Sequence, residues 1–344
     1  MSKQKKVLFA DYIRATATIG VVCIHAAALY FLQTFGSESW HFINALDGLC
    51  RYAVPLFFML SGMFHINNPK YCWKDFLKKG AKLFLLYMLW QLVYVFVADK
   101  PFTIKSLIAP HYHLWFLPVI ALMYALTPLF THWVKKINSI TIYIATSFLI
   151  GSYALYSNLV IKNISIFSIV GCASYYIMGY LLHQNLVRQN WLDKSKHKLN
   201  MYLAIVVTIV CWVATAAGTW LLSKGKSVPS EVLYAYAMPN VMLGTMALFS
   251  LFSQLETSFT KGLHKPLSSL SNLSFGVYLI HPIFIACCYN TPILASYPII
   301  KCLLTVMVSL LASWILSWLI SKVPYLSKII THQSINTKHY EHRR

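Results

Sequence analysis

Ten stretches of this chain are apolar for long enough to cross a bilayer, which rules out almost every fold built in water. They cover residues 8–32, 42–65, 83–98, 114–131, 140–157, 164–182, 200–222, 232–252, 273–289 and 299–321. Crossing about 30 Å of hydrocarbon takes about 20 helical residues, and no water there is available to bond an open backbone. The runs therefore predict an all-α polytopic integral membrane protein with about ten transmembrane helices. Composition agrees: 58% of the 344 residues are hydrophobic, 15% are aromatic and only 11% are charged. The longest polar segments are 183–199 and 322–344. A single membrane-embedded domain over 1–344 is expected, with a basic tail over 322–344.

A net charge of +20 invites a nucleic-acid reading, but its distribution opposes one. Of the 29 Lys and Arg residues, 21 fall in the segments that share a side with both termini, and five fall opposite. That is the positive-inside pattern, and it predicts that both termini are cytoplasmic. No nucleic-acid partner is expected, and the lipid bilayer is. Ala26 and Ala28 resemble a signal-cleavage site, but Asp11 and Arg14 inside the apolar core speak against cleavage. The eight cysteines lie mostly in apolar runs without a CxxC pair, so buried thiols are expected rather than a disulfide framework or a zinc site.

The first run carries side chains that hydrocarbon rejects. Arg14 and His25 are eleven residues apart, about 16 Å of rise and about 20° of rotation on an ideal helix, so both look out from one face. Asp11 lies one turn before Arg14. An arginine near a helix centre costs about 2.5–3.5 kcal/mol on insertion scales, so this face is expected to line a protein or water-filled interior. In the second run Asp47 and Arg51 form an i,i+4 pair, at a depth that a short hairpin matches to His25. A structural ion pair and a functional one both fit. Pro55 is expected to bend this helix near Arg51. Ser61 and Gly62 near its end permit close helix approach.

His111, Tyr112, His113, Leu114 and Trp115 lead into the fourth run. An aromatic interface belt accounts for Trp115 and Tyr112. His113 fits that belt or a substrate site. Two histidines with no carboxylate or third ligand nearby do not indicate metal. In the ninth run Ser274, Tyr278 and His281 share a face, and His281 fits either a structural hydrogen bond or a function. Glu38 and His41 lie in the outer loop on His25's side.

Taken together, these stretches resemble the acyltransferase family 3 membrane proteins. The resemblance rests on Arg14, ten residues and His25; on Arg51 followed by Val54-Pro55-Leu56-Phe57-Phe58-Met59-Leu60-Ser61-Gly62; on His113-Leu114-Trp115-Phe116-Leu117; and on Ser274-Phe275-Gly276-Val277-Tyr278-Leu279-Ile280-His281-Pro282. It implies acyl transfer in a bacterial plasma membrane, usually of acetyl from acetyl-CoA to a hydroxyl of an envelope glycan or glycolipid. Acetyl-CoA is then a co-substrate, with no permanently bound cofactor. It also implies that His25 is catalytic and that Arg14 engages the donor.

The chemistry is compatible with that. A sugar hydroxyl is a poor nucleophile and needs a positioned base, and histidine's intrinsic pKa of about 6.5 suits the task. We expect Arg51 to stabilise the tetrahedral oxyanion and Asp47 to orient His25 or Arg51. Ser61 and Gly62 are expected to leave room for the donor, while Glu38, His113 and Trp115 are acceptor candidates. Asp11, Tyr278 and His281 are further candidates. The rival class is export of a polysaccharide or lipid-linked sugar. Against it, the sequence has neither repeat symmetry nor a matched pair of interrupted helices.

Overall fold

The computed structural model describes residues 8–97, 103, 111–136, 165–188, 194–254, 261–323 and 327. Among these the ordered elements are helices: α1 Leu8–Gln33, α2 Glu38–Cys50, α3 Ala53–His65, α4 Trp73–Val97 and α5 Phe116–Lys136. They continue as α6 Ser165–Arg188, α7 Lys194–Ser223, a 3₁₀ turn Val232–Tyr234, α8 Pro239–Gln254, α9 Lys261–Asn290 and α10 Pro298–Ser321. Eight helical segments among the described residues are long and apolar enough to cross a membrane, with α2 and α3 together forming one of them. Helix α6 covers the predicted run 164–182 but is not among those eight, and the run 140–157 lies outside the described residues. The third and ninth runs are the apolar parts of longer helices that start at Trp73 and Lys261.

Helix α1 is the hub, packing against α2, α3, α8, α9 and α10. Its sequence suits a central position. Ala15, Ala17, Gly20, Ala26 and Ala27 keep its sides thin, so neighbouring backbones approach closely. Between membrane helices, where no hydrophobic effect pulls them together, such close packing supplies much of the association. The helix stops at Thr34, and Gly36 turns the chain with φ +86°, a conformation that glycine adopts without steric cost.

The bend expected in the second run is a full break, and it falls before Pro55 rather than at it. Helix α2 ends at Cys50 and α3 begins at Ala53, which puts Pro55 in the first turn of α3. There its missing N–H costs nothing, while its ring would clash with the Arg51 carbonyl of a continuous helix. At its end α2 closes with a tighter turn, in which the Arg51 N–H reaches the Gly48 carbonyl at 3.4 Å. Further back in the helix, Asn44 O also accepts from the Tyr234 hydroxyl at 3.1 Å and Ala45 O from the Trp212 indole at 2.8 Å.

Helices α3 and α6 touch backbone to backbone. A Cβ at Gly62 would overlap the Tyr176 carbonyl, and one at Gly179 would overlap the Met59 carbonyl. All eight cysteines are free. Cys72 and Cys287 are exposed, so the expectation of buried thiols fails at those two positions.

Candidate active site

A single cavity of about 370 Å³ follows the polar face of α1. Its wall includes both Arg14 and His25, so the two side chains that share a face in the sequence open onto one space. Ser61 and His65 of α3, Lys79 of α4 and Tyr124 of α5 join Arg14 in lining it. So do His113, Trp115, Tyr236 and Tyr278, together with His25.

At the Arg14 end the contacts are cationic and aromatic. Arg14 Nη1 lies 3.4 Å from Asp11 Oδ1, and Asp11 Oδ1 also accepts from Ser271 Oγ at 2.8 Å. The carboxylate thus answers the arginine from beneath, tied to α9. The guanidinium sits 5.2 Å from the Phe64 ring centroid. His65 donates through Nδ1 to the Ser61 carbonyl at 2.8 Å, which leaves Nε2 to accept from the Lys79 ammonium at 3.0 Å. Lys79 also stands 3.4 Å over the Tyr71 ring. Beyond it lies an open basin of about 600 Å³ lined by Lys70, Tyr71, Asp75, Lys78, Lys79 and Lys82. Lys79 borders both spaces.

At the other end imidazoles cluster. His25 Nδ1 is 2.7 Å from His281 Nε2, and the two rings meet edge to edge, nearly coplanar, with centroids 4.9 Å apart and 12° between their planes. The ring of His113 lies 6.2 Å from His25 and 5.7 Å from His281. Its Nδ1 pairs with His111 Nδ1 at 3.0 Å. Tyr278 donates to the His113 carbonyl at 2.5 Å, fixing the loop before α5 to α9. Gln91 accepts from the His111 N–H at 2.8 Å, fixing it to α4. Burial, with His281, His25 and His111 around it, holds His113 well below the ordinary histidine range, so it is neutral at neutral pH. Trp115 stacks on Tyr236 at 5.8 Å.

The remaining sequence candidates divide between the cavity wall and its surroundings. Asp47 and Arg51 pair at 2.6 Å beside the α2–α3 break, with the Arg51 guanidinium 4.1 Å from the Tyr234 ring centroid. Neither residue is part of the cavity wall. His25 is hydrogen-bonded to His281, while Asp47 bonds Arg51. Ser61 borders the cavity, but Gly62 faces α6. Glu38 is exposed at the start of α2, away from the wall. Among the described residues no group of three His, Cys, Asp or Glu side chains is arranged to hold a metal ion.

Lys79, His65, Tyr124 and Tyr236 line the cavity without having been singled out from the sequence. Lys79 hides in a run of lysines that charge bias alone explains. His65 follows Ser61 by one helical turn, and that spacing is the signal that would have found it.

Residues 7–321 match the acyltransferase domain that defines one family of membrane proteins. The chain belongs to the acyltransferase 3 family. No curated protein and no solved structure matches it. With its apolar helices it is a membrane acyltransferase, and the Arg14–His25 cavity is its candidate active site.

Proposed function

We propose that this acyltransferase moves an acetyl group from cytosolic acetyl-CoA to a hydroxyl of a cell-envelope polysaccharide or lipid-linked glycan. The observation that carries the reading is the single cavity with a guanidinium at one end and an unusually placed imidazole at the other. A thioester donor has the matching shape, with anionic phosphates at one end and a reactive carbonyl at the tip of a narrow arm. Arg14 and Lys79 provide the cationic end, and the basin beyond Lys79 gives a bulky nucleotide somewhere to stay outside the bundle.

His25 takes the proton of the acceptor hydroxyl as its oxygen attacks the thioester carbonyl. The tetrahedral intermediate collapses with cleavage of the C–S bond, and the imidazolium returns the proton to the departing thiolate. The products are an O-acetyl ester and free CoA, with no proton left over. Trp115, stacked on Tyr236, offers an aromatic wall for the acceptor ring. A narrower likeness, to the O-acetyltransferases of enterobacterial common antigen, is suggested by the compact length and by His113-Leu114-Trp115-Phe116. It gains no support from the comparisons.

The test is turnover of radiolabelled acetyl-CoA by purified protein in detergent, with and without envelope glycolipid. Wild type should consume the donor, and His25→Ala should lose at least about 100-fold in rate, the usual minimum for a general base, with unchanged gel-filtration behaviour. A wild-type protein that binds glycolipid but never cleaves acetyl-CoA would favour export instead.

A further inference from the structure

His281 is completely buried within α9. Both of its nitrogens are nevertheless engaged. Nδ1 is 3.0 Å from the Val277 carbonyl, one turn earlier in the same helix. A carbonyl only accepts, so Nδ1 carries the hydrogen and Nε2 of the neutral ring carries the lone pair. Pro282, the next residue, lies inside the helix and has no N–H for the Tyr278 carbonyl.

The consequence passes to His25. Its Nδ1 is 2.7 Å from the His281 nitrogen that holds a lone pair, so His25 donates there. A neutral imidazole with hydrogen on Nδ1 has its lone pair on Nε2. We infer that His281 is a positioning residue that, through the Val277 carbonyl, fixes His25 in the tautomer whose Nε2 is unprotonated and available to take the acceptor's proton.

The chain of fixed hydrogens runs Val277 carbonyl, His281, His25, cavity. In it a backbone group does what a carboxylate does in a serine-protease triad, which is to hold the base in the correct tautomer and orientation. With only 12° between the two ring planes, the hydrogen bond lies in the plane of both rings and sets the orientation of His25. An uncharged partner also avoids placing a second ion in a low-dielectric site, where an unbalanced charge is expensive. His281 is not itself part of the cavity wall and meets it only through neighbours such as His25, so substrate binding does not depend on it directly.

The inference rests on the acyl-transfer reading for its kinetic consequence and not for its structural one. The test therefore has two arms on the full-length protein. Nitrogen-15 histidine spectra in nanodiscs identify the His25 ring as the signals lost in His25→Gln. Its Nδ1 should be protonated and its Nε2 not, and His281→Leu should abolish that preference. In kinetics, His281→Leu should lower kcat for acetyl transfer by about 100-fold or more with the KM for acetyl-CoA unchanged. His281→Gln, whose amide oxygen can still accept from His25, should restore most of the loss.

A His25 protonated on Nε2 in the wild type would overturn the inference. So would a glutamine variant as poor as the leucine one, which would make His281 a packing residue only. If the wild type shows the expected tautomer but no acetyl transfer, the functional reading fails and the assignment of the nitrogens stands.

Discussion

Lysine in place of Arg14 would keep the charge and lose the planar fork, which makes the substitution informative at the donor end. A guanidinium can give a phosphate two parallel hydrogen bonds, and an ammonium acts as a point charge. Losing a charge-assisted hydrogen bond is worth about 1.5–3 kcal/mol. Arg14→Ala should therefore raise the apparent KM for acetyl-CoA about 10- to 100-fold, with Arg14→Lys intermediate. An unchanged KM with reduced kcat would move Arg14 from donor binding to chemistry. The Arg14–His25 face was legible because an ionisable residue in an apolar run demands an interior, and eleven residues fix its direction. The partner of His25 was not legible. Asp47 was expected to orient His25 or Arg51 and bonds Arg51, whereas the side chain that reaches His25 is His281, 256 positions away in sequence. Helical spacing ranks neighbours along one helix and is silent on which residue of another helix arrives opposite.

Elements show the same division. Apolar length located the helices because hydrocarbon imposes it. The end of α2 was harder, since Pro55 marks a disturbance without saying whether the helix bends at it or stops before it. The structure stops it at Cys50, and Tyr234 and Trp212 hold the helix through the Asn44 and Ala45 carbonyls. Small residues were equally ambiguous. Ser61 and Gly62 stand side by side in sequence, and both were expected to leave room for the donor. Adjacent helical positions point about 100° apart, however. Ser61 borders the cavity, while Gly62 lies against the Tyr176 carbonyl of α6. Gly62→Ala should accordingly destabilise the α3–α6 contact by at least about 1–3 kcal/mol, as overpacking does, and lower the melting temperature in detergent. Ser61→Ala should leave that temperature unchanged. A normal melting temperature for Gly62→Ala, combined with a raised KM for acetyl-CoA, would return Gly62 to the donor path.

On the scale of the whole molecule, the charge bias and the cavity make a joint statement about sidedness. The segments richest in lysine, including the stretch from Lys70 to Lys82 that leads into α4, belong to the side that positive-inside bias predicts to be cytoplasmic. Lys79 from that segment reaches the Arg14 end of the cavity, whereas His25 lies about 16 Å further along α1. A donor that is cytosolic and polyanionic would then keep its phosphates near Arg14 and Lys79 and send its thioester up toward His25. The acceptor would meet it from the opposite face, past Trp115 and His113. Sealed vesicles of defined orientation separate these sides. Cysteine labelling at Ser37 and at Lys136 first establishes orientation, and the Ser37 position should react from the extracytoplasmic face. Acetyl-CoA loaded inside right-side-out vesicles should then support transfer to an external glycolipid, while acetyl-CoA supplied only outside should not. High salt should weaken donor use, because contacts between exposed lysines and phosphates are screened within about 10 Å at 0.1 M. Efficient transfer from external donor would place both substrates on one side and end the assignment of Arg14 and Lys79 as the donor's port.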